Sequence, residues 1–144
     1  MLRALALSAF IAAIPMPAPA GAADRDDSGR VAWVTDGDMF RLESGERIRI
    51  AGIDAPEMHR DQAKCAGETL LGSRAKDRAT ALLARRDVTF HRVGRSYNHT
   101  VATVATVVRD GRDLGDELVR MGVADWWPRG RARPDWCHRA KIWA

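Results

Sequence analysis

A chain of 144 residues with 23 Lys and Arg against 19 Asp and Glu has room for one modest domain and a formal charge of +4. That excess is too small to name a polyanionic partner by itself, although arginine, the better bidentate phosphate ligand, far outnumbers lysine. No internal repeat and no low-complexity tract follows the N-terminal segment, which excludes a repeat array.

Residues 1–23 read as a cleavable secretory signal. Arg3 supplies the positive start, and Ala4 to Ile14 form an apolar run too short to span a bilayer. Pro15, Pro17 and Pro19 end any helix there, and Ala20-Gly21-Ala22-Ala23 offers small residues for cleavage. A single domain over residues 24–144 is expected, carrying +3 once Arg3 is lost. No second apolar run follows, so the mature protein is expected to have no membrane attachment and to be periplasmic or secreted.

Arg30–Asp36 reads as a strand, with Val31, Trp33 and Val34 as its apolar residues. Met39–Glu43 reads as a second, and the Ser44-Gly45 turn joins it to a third over Glu46–Ile53. Gln62–Arg85 changes to helical spacing, with Ala63, Ala66, Leu70, Leu71, Ala75, Ala79, Leu82 and Leu83 recurring every three or four positions. Gly67 and Gly72 weaken that pattern. Asp87–Val93 and Thr100–Val108 are expected strands, separated by a polar loop over Gly94–His99 and closed by the Asp110-Gly111 turn. A short helix over Asp113–Met121 is capped by Asp113 and ended by Gly122. Trp126–Pro134 is an irregular basic stretch, and Asp135 caps a last helix ending near Trp143.

Three strands, a helix, two strands and a helix describe a five-stranded OB-fold Greek-key barrel with about three helices, an α+β arrangement. Alternation alone does not separate it from a generic α+β sandwich. The two cysteines, Cys65 and Cys137, are expected to bridge in an oxidising compartment. Closing so long a loop contributes about 4 kcal/mol in the chain-entropy account. Metal ligation is the weaker alternative, because neither sits in a Cys-x-x-Cys pair, and His138 reads as a surface histidine.

The chemistry concentrates in Asp36-Gly37-Asp38 and Arg49-Ile50-Ala51-Gly52-Ile53-Asp54-Ala55-Pro56-Glu57. Carboxylates and an arginine on short β-segments suit metal-assisted cleavage of a phosphate ester. A hard cation takes oxygen ligands, the arginine neutralises phosphate charge, and a remaining carboxylate manages a water. Asp and Gly also favour tight turns, which is the better account of Asp36. Arg41 and Arg47 read as solvent-facing strand residues.

With Val101-Ala102-Thr103-Val104, Asp110-Gly111, Leu114-Gly115, Leu118-Val119 and Gly122-Val123-Ala124 further on, the chain from about Val31 to Ala124 resembles the staphylococcal nuclease (thermonuclease) family. The resemblance implies an OB-fold barrel and calcium-dependent hydrolysis of DNA and RNA that leaves 3′-phosphates. It assigns calcium to Asp38, Asp54 and the carbonyl of Ala55, the water-directing base to Glu57, and transition-state stabilisation to Arg49. Tyr97, the single tyrosine, matches an aromatic near the nucleotide.

Two positions depart from the family pattern. His99 stands where a second arginine is expected, and Met39 stands where threonine follows Asp-Gly-Asp. Losing a transition-state arginine can cost about 10³–10⁵ in rate. His99 could instead protonate the leaving 5′-oxygen, or Arg92 or Arg95 could substitute for the arginine. The implied partner is DNA or RNA, single-stranded by expectation, engaged by a monomer. A weakened OB module that binds oligonucleotides without cutting them is the alternative, and a protein-interaction module is a third. Trp126 and Trp127 read as packing residues, while Arg129, Arg131 and Arg133 stay open between a solvated loop and nucleic-acid contacts.

Overall fold

The computed structural model describes residues 26–96 and 101–142. The expected signal segment, Tyr97 and His99 lie outside these residues. Strands β1 (Asp27–Asp36), β2 (Met39–Leu42) and β3 (Arg47–Ile50) form the expected antiparallel meander. Phe40, Leu42, Ile48 and Ile50 alternate inward from β2 and β3. A bulge between Val31 and Trp33 breaks the two-residue period of β1, so Val31 and Val34 both face the core. Trp33 is thereby turned out, 54% exposed, with the Arg41 guanidinium 5.2 Å from its ring centroid.

The third strand is shorter than its hydrophobic pattern suggests. It stops at Ile50, Gly52 takes a positive φ of 74°, and the chain resumes as β4 (Ile53–Asp54). Helix α1 (Ala66–Leu83) also begins later than its apolar spacing implies. Cys65 is extended (φ −159°), and residues 59–63 are occupied by a turn in which Gln62 and Ala63 donate to the His59 carbonyl. The helix buries Ala75, Ala79 and Leu83, whereas Leu70 is 56% exposed.

Strands β5 (Asp87–Ser96) and β6 (Ala102–Arg109) pair antiparallel, and β5 also pairs with the start of β1. Parallel pairing of β3 with β6, Ile48 opposite Thr103 and Ile50 opposite Ala105, closes the ring. The result is a closed mixed barrel of five strands with three helices, an OB-type α+β fold. Asp110-Gly111, both at positive φ, turns β6 into β7 (Arg112–Asp113). The Asp113 carboxylate then caps α2 (Leu114–Arg120) by accepting from Asp116 N at 2.8 Å.

The core fills the barrel with Val31, Phe40, Ile48, Val88, Phe90 and Val107, plugged by Leu83 of α1 and by Leu114 and Leu118 of α2. Beyond α2, β8 (Asp125–Trp126) pairs with β4, placing Asp125 opposite Asp54. This carries residues 127–135 across the mouth of the barrel before α3 (Trp136–Ile142) docks on α1. The Cys65–Cys137 disulfide, with Cα atoms 6.0 Å apart, ties the two helices together, as expected. Among the described residues no helix is long and apolar enough to cross a membrane.

Candidate active site

The site forms where β1 turns into β2 and where β3 gives way to β4. Asp36 acts as the turn residue its sequence suggests, its carboxylate accepting from Asp38 N at 3.2 Å. Gly37 is required there, because a Cβ would lie 2.7 Å from the Cβ atoms of both Ala55 and Ala75. The turn therefore presses Asp38 against the Asp54–Ala55 segment. Asp38 and Asp54 are both buried, at 4% and 2% exposure.

Arg49, on β3, joins them. Its Nη2 donates to Asp38 Oδ2 at 2.8 Å and to Asp54 Oδ1 at 3.4 Å, and Ala55 N donates to Asp38 Oδ2 at 3.2 Å. Burial holds the Asp38 carboxyl well above the usual carboxylate range; Arg49 opposes this, and the charges of Asp36 and Asp54 reinforce it.

Glu57 lies in the same cleft, three residues past Asp54 and partly buried. Burial raises its pKa; Arg133 opposes the rise, Asp36 and Asp54 add to it, and Arg49 lowers it. Its backbone is held by Glu68, a buried α1 residue whose Oε1 accepts from Glu57 N at 3.3 Å and whose Oε2 accepts from Lys64 N at 2.8 Å. Gly72 lets α1 lie directly on the Glu57–Met58 backbone.

Three further residues complete the site, and of these the sequence singled out only Arg133, as a loop arginine open between solvent and nucleic acid. Arg133, from the loop crossing the barrel mouth, donates through Nε to Asp54 Oδ1 and Oδ2 at 3.1 and 3.0 Å. Its Nη2 reaches the Ala55 carbonyl at 3.4 Å, Glu57 Oε1 at 3.3 Å and Glu68 Oε1 at 3.4 Å. Burial works against the charge on Arg133, but Asp54, Glu57 and Glu68 outweigh it and raise its pKa. Trp136 of α3 is buried and donates from Nε1 to Asp54 Oδ2 at 2.7 Å. Glu68 is the third, and only its spacing from Cys65, that of a helix-capping pair, hinted at a structural task.

The surrounding cleft is cationic. Arg41, Arg47, Arg95, Arg129 and Arg131 all line it, Arg47 from an exposed strand position as expected and Arg41 from a half-buried one. Arg92 is committed elsewhere, to Glu46 at 2.8 Å and to Asp27, which leaves Arg95 as the upstream arginine facing the cleft. Trp126, on β8 opposite Ile53, is 50% exposed rather than packed in the core. Trp127 lies in the cleft wall, its indole bonded to the Arg131 carbonyl at 2.7 Å.

Among the described residues no group of three or more His, Cys, Asp or Glu side chains is gathered as a metal centre. The donor set at Asp38, Asp54 and the Ala55 carbonyl is nonetheless hard oxygen, two of its members are buried carboxylates, and both touch one Arg49 nitrogen. That chemistry fits a divalent cation of the calcium type.

The architecture is a closed OB-type α+β barrel with buried carboxylates in an arginine-lined cleft. The family model for the staphylococcal nuclease homologue matches residues 47–135, more than half of the chain, and the chain belongs to that family. The matched span holds Arg49, Asp54, Ala55, Glu57 and Arg133, while Asp38 precedes it. The family is nuclease-like and generally calcium-dependent, and membership implies nucleic-acid binding. No curated protein matches the chain.

Proposed function

We propose that the protein is an exported calcium-dependent nuclease that hydrolyses phosphodiester bonds of DNA or RNA. The observation that carries this reading is the meeting of Asp38, Arg49, Asp54, the Ala55 carbonyl and Glu57 in one arginine-lined cleft. Asp38, Asp54 and the Ala55 carbonyl would hold calcium, which when bound supplies charge against a phosphate oxygen and lowers the pKa of a nearby water.

Glu57 takes the proton from the attacking water, and its raised pKa makes it a stronger base than an exposed glutamate. The water oxygen bonds to phosphorus as the bond to the 5′-oxygen breaks, leaving a 3′-phosphate and, after protonation, a 5′-hydroxyl. Arg49 donates to the phosphate oxygens as their charge grows. His99, at the family's second arginine position, either stabilises that charge more weakly or protonates the 5′-oxygen. Tyr97 contacts the nucleotide. The arginines around the mouth hold the flanking phosphates of a single strand, which a monomer can bind unaided. The Cys65–Cys137 bridge supports an oxidising, periplasmic or extracellular location for a domain spanning residues 24–144.

The test is cleavage of a fluorescent single-stranded DNA and an RNA with calcium or with chelator. Calcium-dependent cleavage that falls about 10²–10⁴-fold in Glu57→Gln is the expected result. Chelator-resistant cleavage, or none, would defeat the reading. Salt-sensitive binding without turnover, with cleavage appearing in His99→Arg, would instead favour an oligonucleotide-binding module. His99 in the arginine position is the observation that keeps that second reading in view.

A further inference from the structure

Both carboxylate oxygens of Asp54 are engaged by donors. Its Oδ1 accepts from Arg49 Nη2 and Arg133 Nε, and its Oδ2 accepts from Arg133 Nε and Trp136 Nε1. The two Arg133 contacts share one Nε–H, so three donors cover a carboxylate that offers about four acceptor positions. The Ala55 carbonyl also receives Arg133, through Nη2. A cation joining this oxygen set therefore competes with those donors for the same oxygens.

The three donors are not equally free to go. Trp136 is buried at 3% exposure on a helix fixed by the disulfide next to it in sequence. Arg49 projects from a barrel strand and also holds Asp38 at 2.8 Å. Arg133 comes from an irregular loop, its side chain is 24% exposed, and its Nε and Nη2 together cover Asp54 and Ala55, two of the three residues assigned to calcium.

We propose that Arg133 is a tethered counter-cation that occupies the calcium-side oxygens of Asp54 and Ala55 and competes directly with the metal for them. The proposal rests on the calcium reading above. Its guanidinium pairs with Asp54, Glu57 and Glu68, so the buried carboxylates of Asp54 and Glu68 keep a cationic partner. When the oxygens pass to a divalent ion, Arg133 swings out with the loop into a cleft already lined by Arg129 and Arg131, where phosphate is the next available anion. Arg133 thus sets the metal affinity of the site without being a metal ligand.

The experiment titrates the wild-type protein, Arg133→Gln and Arg131→Gln with calcium by calorimetry. Terbium luminescence sensitised by Trp136, whose indole touches Asp54, serves as a second readout. Arg133→Gln should bind calcium about tenfold or more tightly than wild type, the worth of one charged hydrogen bond removed from competition. Arg131→Gln removes the same charge from the same loop without those contacts and should change affinity much less.

Equal or weaker binding by Arg133→Gln, or an equal gain in Arg131→Gln, would overturn the proposal. In the wild-type protein itself, the Arg133 Nε–H resonance should shift with the same midpoint as calcium binding; saturation with that resonance unmoved would also overturn it. Tighter calcium binding without any cleavage would sustain the competition and remove the nuclease reading. Calcium-dependent cleavage with unchanged affinity in Arg133→Gln would do the reverse.

Discussion

Gly72→Ala sets helix propensity against tertiary packing, and the two predict opposite signs. Inside α1, Ala is favoured over Gly by about 1 kcal/mol. A Cβ at residue 72, however, would lie 2.5 Å from Glu57 C, 2.6 Å from Met58 N and 2.7 Å from Glu57 O. Carbon contacts settle near 3.5–4.0 Å, so helix and segment must part by about 1 Å. All three atoms belong to backbone, so no side chain can rotate away. Such overpacking belongs near the top of the usual range, about 3 kcal/mol, leaving a net loss of about 2 kcal/mol. For a domain of this size the melting temperature should fall by about 8 °C. The strained segment carries Glu57, whose N–H is already fixed by Glu68, and a 1 Å displacement of a catalytic group costs about 10²-fold in rate. Differential scanning calorimetry and the cleavage assay report the two effects separately. A melting temperature that rises in Gly72→Ala would show that α1 does not rest on Glu57 as described.

A second expectation concerns pH. Burial raises the folded pKa of Asp38 above its unfolded value, so its stabilising protonation is complete below about pH 3.9 and is lost as pH rises through the folded pKa. Calcium-free wild type should accordingly lose stability relative to Asp38→Asn from about pH 4 upward, measured by denaturant melts at stepped pH; parallel curves would contradict the burial argument. Replacing both Cys65 and Cys137 by serine should cost about 4 kcal/mol in guanidinium unfolding, since the bridge closes a 72-residue separation. A loss below about 1 kcal/mol would mean that α1 and α3 hold together by packing alone.

The elements whose period is set by local residues were legible in advance. Apolar alternation marks β2, β-branched residues mark β5 and β6, and Asp113 and Asp135 announce the starts of α2 and α3. Misplaced boundaries fall where a distant contact overrides the local pattern. The extended Cys65, held to Cys137, delays α1, and the bulge in β1 turns Trp33 outward although the sequence reads smoothly through it. Gly72 looked like a weakness in a helix because its use lies in the close approach of a segment fifteen residues earlier, to which a Cβ would come within 2.5 Å.

The sequence by itself determined the family motif, with Asp38, Arg49, Asp54, Ala55 and Glu57 in the right order, because short-range chemistry and spacing carry that information. Barrel closure through the parallel β3–β6 pair was beyond it, since strand alternation says nothing about which edges meet. Arg133 and Trp136 were likewise decided only by the fold. They lie 79 and 82 residues from Asp54, and what brings them to it is the pairing of β8 with β4 and the docking of α3 on α1. An arginine in a basic loop looks the same in sequence whether it faces water or fills a carboxylate cluster. Only the path of the chain settles which oxygens it can reach.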